Sequence, residues 1–143
     1  MTTAVDSNII LDVLLGPTLD AEIASKALHL AELNGPLIIS AICYAEVTGH
    51  FPSQARADDF FELIHCSIGE IDKDVAFLAG IFYLNYKKRG GNRTRILPDF
   101  MIGAHAQIKA DRMLTRDKRF FGTTFPKLKT VAPADLITPR SSP

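Results

Sequence analysis

The chain has 143 residues, of which 47% are hydrophobic and 22% are charged. This length suits one domain with a single core, and this composition excludes the disordered and fibrous classes of protein. No apolar run approaches the roughly 18 residues of a membrane span, and the N-terminus lacks the basic and apolar regions of a signal peptide. We therefore expect a cytoplasmic protein with no membrane partner.

The net charge is zero, but the charges are unevenly distributed along the chain. Residues 1–86 carry 12 acidic and three basic side chains, whereas residues 87–129 carry 12 basic and three acidic ones. This split indicates either a polyanionic partner for the basic face or a solvated surface that only balances the acidic half. Cys43 and Cys66 lack the spacing of a zinc site, which predicts two buried, reduced thiols.

The first half of the chain alternates between short apolar runs and amphipathic segments. The elements predicted here are a strand at 2–6, a helix at 9–15 capped by Ser7-Asn8, a helix from Thr18 to Asn34-Gly35, a strand at 37–39, a helix from Ser40 to about Gly49, a helix after Ser53 and a strand at 67–71. The caps are the residues whose side-chain oxygens accept hydrogen bonds from the free N–H groups of a first turn.

The second half begins with a long helix that Asp72 is expected to cap. This helix, predicted for 73–89, has two apolar stripes, so it is either a central helix or one that faces another subunit. The remaining predicted elements are a flexible basic loop at 89–95, a helix from Pro98 to about Lys109, a strand at 113–114, an edge strand at 130–131, a tail helix at 133–136 and a frayed tail at 138–143.

Short strands alternating with helices predict an α/β fold. We expect a single domain over residues 1–137, with a mainly parallel central sheet flanked by helices. In such sheets, ligands bind at the carboxyl ends of the strands.

Four acidic residues, Asp6, Glu46, Asp99 and Asp117, are placed to share such a site. Asp6 and Asp117 each follow a predicted strand, Asp99 lies near a helix start, and Glu46 lies in an apolar helix, so Asp6 and Glu46 are both expected to turn away from water. Taken singly, Asp6, Asp99 and Asp117 also have local explanations as a helix cap, a favourable charge at a helix start and a turn residue. Gathered together, the carboxylates would repel one another unless a cation neutralised them.

A hard divalent cation such as Mg²⁺ binds oxygen ligands and leaves positions for water and phosphate. Metal ions held in this way stabilise the attacking and leaving oxygens when a phosphodiester is displaced. The acidic set therefore predicts metal-dependent chemistry on a phosphodiester, for which no covalent protein nucleophile is needed.

Four segments resemble, in order, the motifs of the PIN-domain nucleases. They read DSNIILD at 6–12, YAEV at 44–47, LPDFMIGAHA at 97–106 and LTRDKRFF at 114–121. The last two are similar to those of VapC-type toxins from bacterial toxin–antitoxin pairs. The resemblance covers residues 2 to about 136, and its specificity lies in the ordered set, because no single motif would suffice.

The resemblance implies a role for each acidic residue and its neighbours. Asp6 and Asp99 would be the principal Mg²⁺ ligands, and Glu46 and Asp117 would complete the cluster. Thr115 would orient Asp117, and Ser7 or Asn8 would hydrogen-bond the first carboxylate or the metal's water.

The resemblance also implies an activity and partners. Members of the family cleave RNA with Mg²⁺ or Mn²⁺, commonly form homodimers, and are silenced by an antitoxin protein that covers the site. The alternative is a catalytically silent PIN-like module that binds RNA or a protein.

Two other classes of protein that act on phosphate groups fit the sequence less well. A phosphatase of the haloacid-dehalogenase type needs a second acid where Asn8 stands, and a receiver domain needs adjacent acids near its first strand. The role of His105 stays open between packing and a surface position, and Asp12 is expected to face solvent. The side chains that could contact phosphate are Arg89, Arg93, Arg95, Arg116, Lys118 and Arg119.

Overall fold

The computed structural model describes residues 1–138 of the chain. The predicted tail at 138–143 lies outside this range apart from its first residue. The elements in chain order are β1 (Thr3–Val5), α1 (Ser7–Leu14), α2 (Leu19–Leu33), β2 (Leu37–Ser40), α3 (Ala41–Thr48), α4 (Gln54–Leu63), β3 (Cys66–Gly69), α5 (Lys73–Lys88), α6 (Leu97–Lys109), β4 (Arg112–Leu114), α7 (Lys118–Thr124), β5 (Thr130–Val131) and α8 (Pro133–Ile137).

The strands form one sheet in the order β3-β2-β1-β4-β5, and every paired neighbour runs parallel. This confirms the predicted α/β fold with a parallel central sheet, and it confirms β5 as an edge strand. Parallel strands need crossover connections, which the helices between them supply. The carboxyl ends of β1, β2 and β4 consequently lie side by side at one edge of the sheet.

The predicted helix caps Thr18, Ser40 and Asp72 are confirmed, and Ser53 caps α4 in the same way. The side-chain oxygens of Thr18, Ser40, Ser53 and Asp72 each accept a hydrogen bond from the backbone N–H three residues later, at 2.9–3.2 Å. One cap was predicted wrongly: α1 begins at Ser7, so Asp6 rather than Ser7-Asn8 is its N-cap. The helix starts two residues earlier than predicted because the Asp6 carboxylate itself accepts the N–H of Ser7.

Helix α7 was not predicted from the sequence. It has seven residues, which is too short for hydrophobic periodicity to identify a helix, and an isolated helix of that length is unstable in water. Its formation depends on tertiary packing, because Phe120, Phe121 and Thr124 are all buried.

Helix α5 buries one of its two apolar stripes, with Val75 and Ala79 fully enclosed. The other stripe is not covered within the domain, since Phe77, Ile81 and Leu84 are 72%, 44% and 53% exposed. The interpretation of α5 as a central helix covered on both sides is therefore wrong.

The prediction of two buried cysteine thiols is confirmed. Cys43 and Cys66 are buried free thiols. Within residues 1–138, no helix combines the length and apolarity that crossing a bilayer requires.

Helix α6 runs from the carboxyl edge of the sheet back to the amino edge. Its last residues lead into β4, and the N–H of Asp111 donates to the carbonyl of Thr2 at 2.9 Å, just before β1 begins. The N-terminal end of α6, which carries Asp99, must then point toward the carboxyl edge, because the 13-residue helix is about 20 Å long.

Candidate active site

The carboxyl edge of the sheet is the starting point of three helices. Helices α1 and α3 follow β1 and β2 without a linker, and α7 begins a few residues after β4. Their first turns present free N–H groups and the positive ends of helix dipoles, which favour negative charge nearby. The edge is thus suited to holding carboxylates and to receiving an anionic ligand.

Asp6 lies at the centre of this edge and is only 5% exposed. Its Oδ1 accepts the backbone N–H of Ser7 at 2.8 Å, and its Oδ2 accepts the hydroxyl of Thr115 at 2.7 Å. Its own N–H donates to the carbonyl of Leu114 at 3.0 Å. The carboxylate is therefore fixed between the ends of β1 and β4.

The pKa of Asp6 is raised to about 6, chiefly because burial removes water from the charged carboxylate. The hydrogen bonds from Thr115 and Ser7 act in the opposite direction, whereas the negative charges of Glu46 and Asp117 raise the pKa further. Glu46 and Asp117 thus lie near enough to Asp6 to repel it. A cation at this place would relieve the repulsion.

Glu46 reaches the edge from α3, where Ser7 links it to Asp6. The Ser7 hydroxyl donates to Oε1 of Glu46 at 2.9 Å, and it lies 3.5 Å from Oδ1 of Asp6. Glu46 is exposed, so the expectation that it would turn away from water is wrong. The short helix places it on the open face of an otherwise apolar segment.

Asp117 is connected to Asp6 through Thr115. The backbone N–H of Asp117 donates to the Thr115 hydroxyl oxygen at 2.8 Å, and the same hydroxyl donates to Asp6. The Asp117 carboxylate pairs with Arg95, whose Nη1 is 2.7 Å from Oδ2. Arg95 also lies over the Phe120 ring, 4.0 Å from its centroid, which holds the guanidinium in place.

Asp99 is half-buried at the start of α6, and its Oδ2 accepts the backbone N–H of Ile96 at 3.0 Å. In this arrangement it caps its own helix. Arg95 lies four residues before Asp99 and pairs with Asp117. This ion pair attaches the segment that leads into α6 to the loop after β4. Both this attachment and the direction of α6 put Asp99 on the carboxyl side of the sheet.

Two polar residues of α1 support the loop after β4. Asn8 accepts the N–H of Arg116 at 3.3 Å, which ties α1 to this loop. Asp12 was expected to face solvent, and that expectation is wrong: its side chain is 13% exposed and pairs with Nε of Arg116 at 2.9 Å. Asp12 and Arg116 lie far apart in the sequence, so no local pattern predicts that they pair.

His105 is a packing residue. It is 1% exposed, and a Cβ built on Gly69 would lie 2.2 Å from its Nε2, so β3 and α6 approach closely only because residue 69 is glycine. Burial lowers the pKa of His105, and the nearby charge of Lys109 lowers it further.

The fit of a divalent cation rests on the chemistry of the donors. Across residues 1–138, no three Asp, Glu, His or Cys side chains stand together as a ready-made ligand set. Asp117 is engaged by Arg95, and Asp99 by its own helix start. The donors are nevertheless carboxylate oxygens around a crowded, buried Asp6, which is the ligand type that Mg²⁺ prefers. Asp6, Glu46 and Asp117 therefore fit the ion by the chemistry of their donors, whereas Asp99 is placed on the same side of the sheet by the direction of α6.

The Arg95–Asp117 pair is the feature of the site that sequence reasoning missed. Arg95 was named only among the side chains that could contact phosphate. The two residues are 22 positions apart, and nothing in the loop sequence indicates which of its arginines turns toward Asp117.

Comparison with known proteins was made at the level of sequence and of fold. A family profile described as PIN domain matches residues 3–125. No curated protein sequence matches the chain significantly.

Three solved structures illustrate the likeness of fold. A chain of VapBC2 from Rickettsia felis, bound to a DNA fragment from their promoter, superposes with a TM-score of 0.72 at 19% identity, covering 92% of this chain and 98% of that one. A toxin–antitoxin complex from Klebsiella pneumoniae gives 0.66 at 25% identity, covering 92% and 97%. VapBC-1 from nontypeable Haemophilus influenzae gives 0.68 at 23% identity, covering 94% and 99%.

Proposed function

This chain belongs to the PIN domain family, and we propose that it is a Mg²⁺-dependent endoribonuclease, for which Mn²⁺ can substitute, acting as the toxin of a toxin–antitoxin pair. The family match and the fold together support a toxin nuclease role. The RNA substrate, the metal and the assignment of individual site residues are our proposal.

The observation that carries the proposal is the crowding of carboxylates around Asp6. A buried carboxylate whose pKa is raised by burial and by two neighbouring acids is unfavourable for folding, and a site with no use for a cation gains nothing from it. The crowding also argues against the silent binding module, because clustered negative charge repels RNA unless a cation intervenes.

Each residue of the site has its own role. Asp6 and Asp99 are the principal metal ligands, and Glu46 and Asp117 complete the acidic set. Thr115 and Ser7 hold Asp6 in one orientation through their hydrogen bonds. When bound, the divalent ion supplies Lewis-acid stabilisation of the charge that develops on the phosphate oxygens.

Asn8 supports the site indirectly, through the loop after β4. By accepting the N–H of Arg116, it fixes the loop that carries Thr115 and Asp117. We therefore propose a positioning role for Asn8 and not a direct hydrogen bond to the first carboxylate.

The proposal predicts cleavage of RNA only when a divalent ion is present. Purified protein incubated with structured and unstructured RNA should produce internal cuts with Mg²⁺ or Mn²⁺ and none with EDTA, because ionised carboxylates alone cannot stabilise a second negative charge. Gel analysis of end-labelled RNA separates internal cuts from trimming of the ends. Cleavage that persists in EDTA would refute the mechanism, and a DNA strand of the same sequence serves as the control substrate.

The partner that we propose is a cognate antitoxin protein. Three structures of similar fold, two of them at under 25% identity, are toxin–antitoxin or VapBC complexes, and this likeness motivates the proposal of a protein partner. We propose that the pair acts in the cytoplasm, where its RNA substrate is found. Coexpression with the product of an adjacent small reading frame tests the pairing directly.

We further propose a homodimer whose interface includes the exposed stripe of α5. Phe77, Ile81 and Leu84 are exposed together on one helix, and a closed two-fold interface would bury the same stripe on both subunits. Light scattering should report a dimer at micromolar concentration. Phe77→Glu should weaken dimerisation at least tenfold, because it puts a charge into the middle of that stripe.

The matched control for the dimer is Leu19→Glu. Leu19 is 70% exposed and lies at the start of α2, away from α5, so its substitution introduces the same charge without touching the stripe. A monomeric wild type at high concentration, or an equal effect of both substitutions, would count against this interface.

A further inference from the structure

A cavity of about 610 Å³ opens beside the carboxylate edge, between the C-terminal half of α5 and the loop before α6. It is lined chiefly by Tyr83, Lys87, Asn92, Arg93 and Arg95 and is called the basic pocket below. Its volume lies within the ~300–1,000 Å³ that is usual for ligand sites. As far as the described residues define it, the lining holds three cationic side chains and no carboxylate, so the pocket selects an anion.

The loop that closes the basic pocket is fixed by Tyr86. Gly91 packs directly on that ring, since a Cβ at this position would lie 2.3 Å from its Cε1. The N–H of Asn92 donates to the Tyr86 hydroxyl at 2.9 Å, and Oδ1 of Asn92 accepts the N–H of Thr94 at 3.0 Å. These contacts hold the loop in the conformation that closes the pocket.

A neighbouring cavity connects the lining of the basic pocket to Asp117 of the candidate active site. A second cavity, of about 410 Å³, shares Asn92 and Arg95 with it and extends to Asp117. Arg95 stands at the junction, paired with the Asp117 carboxylate and stacked on Phe120. A ligand bound at the acidic edge can thus extend past Arg95 into the basic pocket.

The basic pocket also offers an aromatic surface. Nζ of Lys87 lies over the Tyr83 ring, 5.2 Å from its centroid. If the ammonium turned toward a phosphate, it would uncover the face of the ring for a base. Cations along a groove together with an aromatic platform are the features by which proteins bind single-stranded nucleic acid.

We infer that the basic pocket binds the nucleotide adjacent to the cleaved bond of a single-stranded RNA. Lys87 and Arg93 bind its phosphate, and Tyr83 stacks against its base. Arg95 lies between the basic pocket and the carboxylates. The inference rests on the proposed function, because the cleaved bond is placed at the acidic edge. The carboxylates repel the RNA backbone, so the affinity must come from cations beside them.

The experiment measures binding apart from cleavage. A short fluorescent single-stranded RNA is titrated with the full-length protein in EDTA at several salt concentrations, and anisotropy reports the Kd. Lys87→Ala and Arg93→Ala should each weaken binding roughly tenfold, as expected when a charge-assisted hydrogen bond to phosphate is lost. Each should also reduce the slope of log Kd against log salt by about 0.7, the value for one phosphate contact on a single strand.

Matched controls come from the same basic stretch. Lys88 and Arg89 are exposed and do not line the pocket, so Lys88→Ala and Arg89→Ala remove the same charge without the contact. Both should bind RNA within about twofold of wild type, since isolated exposed charges contribute little. An equal loss in all four variants would show a diffuse charge effect and overturn the inference.

A second pair of variants tests whether an RNA base stacks on Tyr83. Tyr83→Phe keeps the ring and should bind as wild type does, whereas Tyr83→Leu should bind about tenfold more weakly, as expected when a stacked base loses its platform. Tyr83 also packs against Phe100 at a centroid distance of 5.1 Å, so melting temperatures of both variants must accompany the titration. Equal binding of RNA by the folded Leu variant would contradict the stacking.

The remaining outcomes separate this inference from the proposed function. If a polyglutamate peptide binds as tightly as the RNA and competes with it, the pocket serves an acidic protein segment and the inference is wrong. If wild type cleaves RNA with Mg²⁺ while Lys87→Ala and Arg93→Ala bind normally, the inference fails and the nuclease stands. Loss of RNA binding in these variants alongside a wild type that never cleaves would keep the pocket as an RNA-binding site, and it would reject both the nuclease and the placement of the bound nucleotide beside a cleaved bond.

Discussion

Asp6→Asn and Asp99→Asn will each reduce the rate of RNA cleavage by a factor on the order of 10³ or more, while the protein stays folded. A neutral amide is a poor ligand for a hard divalent ion, so either change removes several kcal/mol of transition-state stabilisation. Asp6→Asn also relieves the repulsion from Glu46 and Asp117, which favours the folded state. Cleavage is measured under single-turnover conditions with Mg²⁺, beside a melting curve for each variant.

Each variant has a control that shares its structural role. Asp99 accepts the N–H of the residue before its helix, and Asp135 makes the same contact with Ala132 at 2.8 Å at the start of α8. Asp72 caps α5 with its carboxylate, as Asp6 caps α1. Asp135→Asn and Asp72→Asn should therefore cleave RNA normally. Normal cleavage by a folded Asp99→Asn protein would remove Asp99 from the site.

The second large effect is a gain in stability for Asp6→Asn that grows with pH. In EDTA, the difference in unfolding free energy between this variant and wild type should rise by about 2 kcal/mol between pH 4 and pH 7. The pKa of Asp6 is raised from 3.8 to about 6 in the folded protein. The folded state therefore holds the proton more tightly than the unfolded state, and wild-type stability falls as pH rises through this window.

Urea titrations at several pH values measure this difference, and Mg²⁺ should reduce it by binding the ionised form. Asp72→Asn is the control. The hydrogen bond from Lys109 lowers the pKa of Asp72 below its ordinary 3.8, so the stability from this carboxylate is lost only as the pH falls below about 4, and the difference for Asp72→Asn should stay nearly flat between pH 4 and pH 7. If the difference in unfolding free energy between Asp6→Asn and wild type did not change with pH, Asp6 would be neither desolvated nor crowded in the folded protein.

The sequence by itself determined the local structure and the class of fold. The caps at Thr18, Ser40 and Asp72 were predicted because a cap and the N–H it binds are three residues apart. The parallel sheet followed from short apolar runs alternating with helices. The roles of Asp6, Glu46, Asp99 and Asp117 were implied by ordered motifs, and they remain predictions until the variants are assayed.

Only the tertiary structure decided how these residues are held. Thr115 binds Asp6 across 109 positions, and the pairing of Arg95 with Asp117 depends on how the loop folds over Phe120. Glu46 turned out to be exposed, and α7 exists only because its aromatic face packs on the core. Propensities and caps act over a few residues, whereas burial, ion pairs and pKa shifts depend on distant segments that meet only when the chain folds.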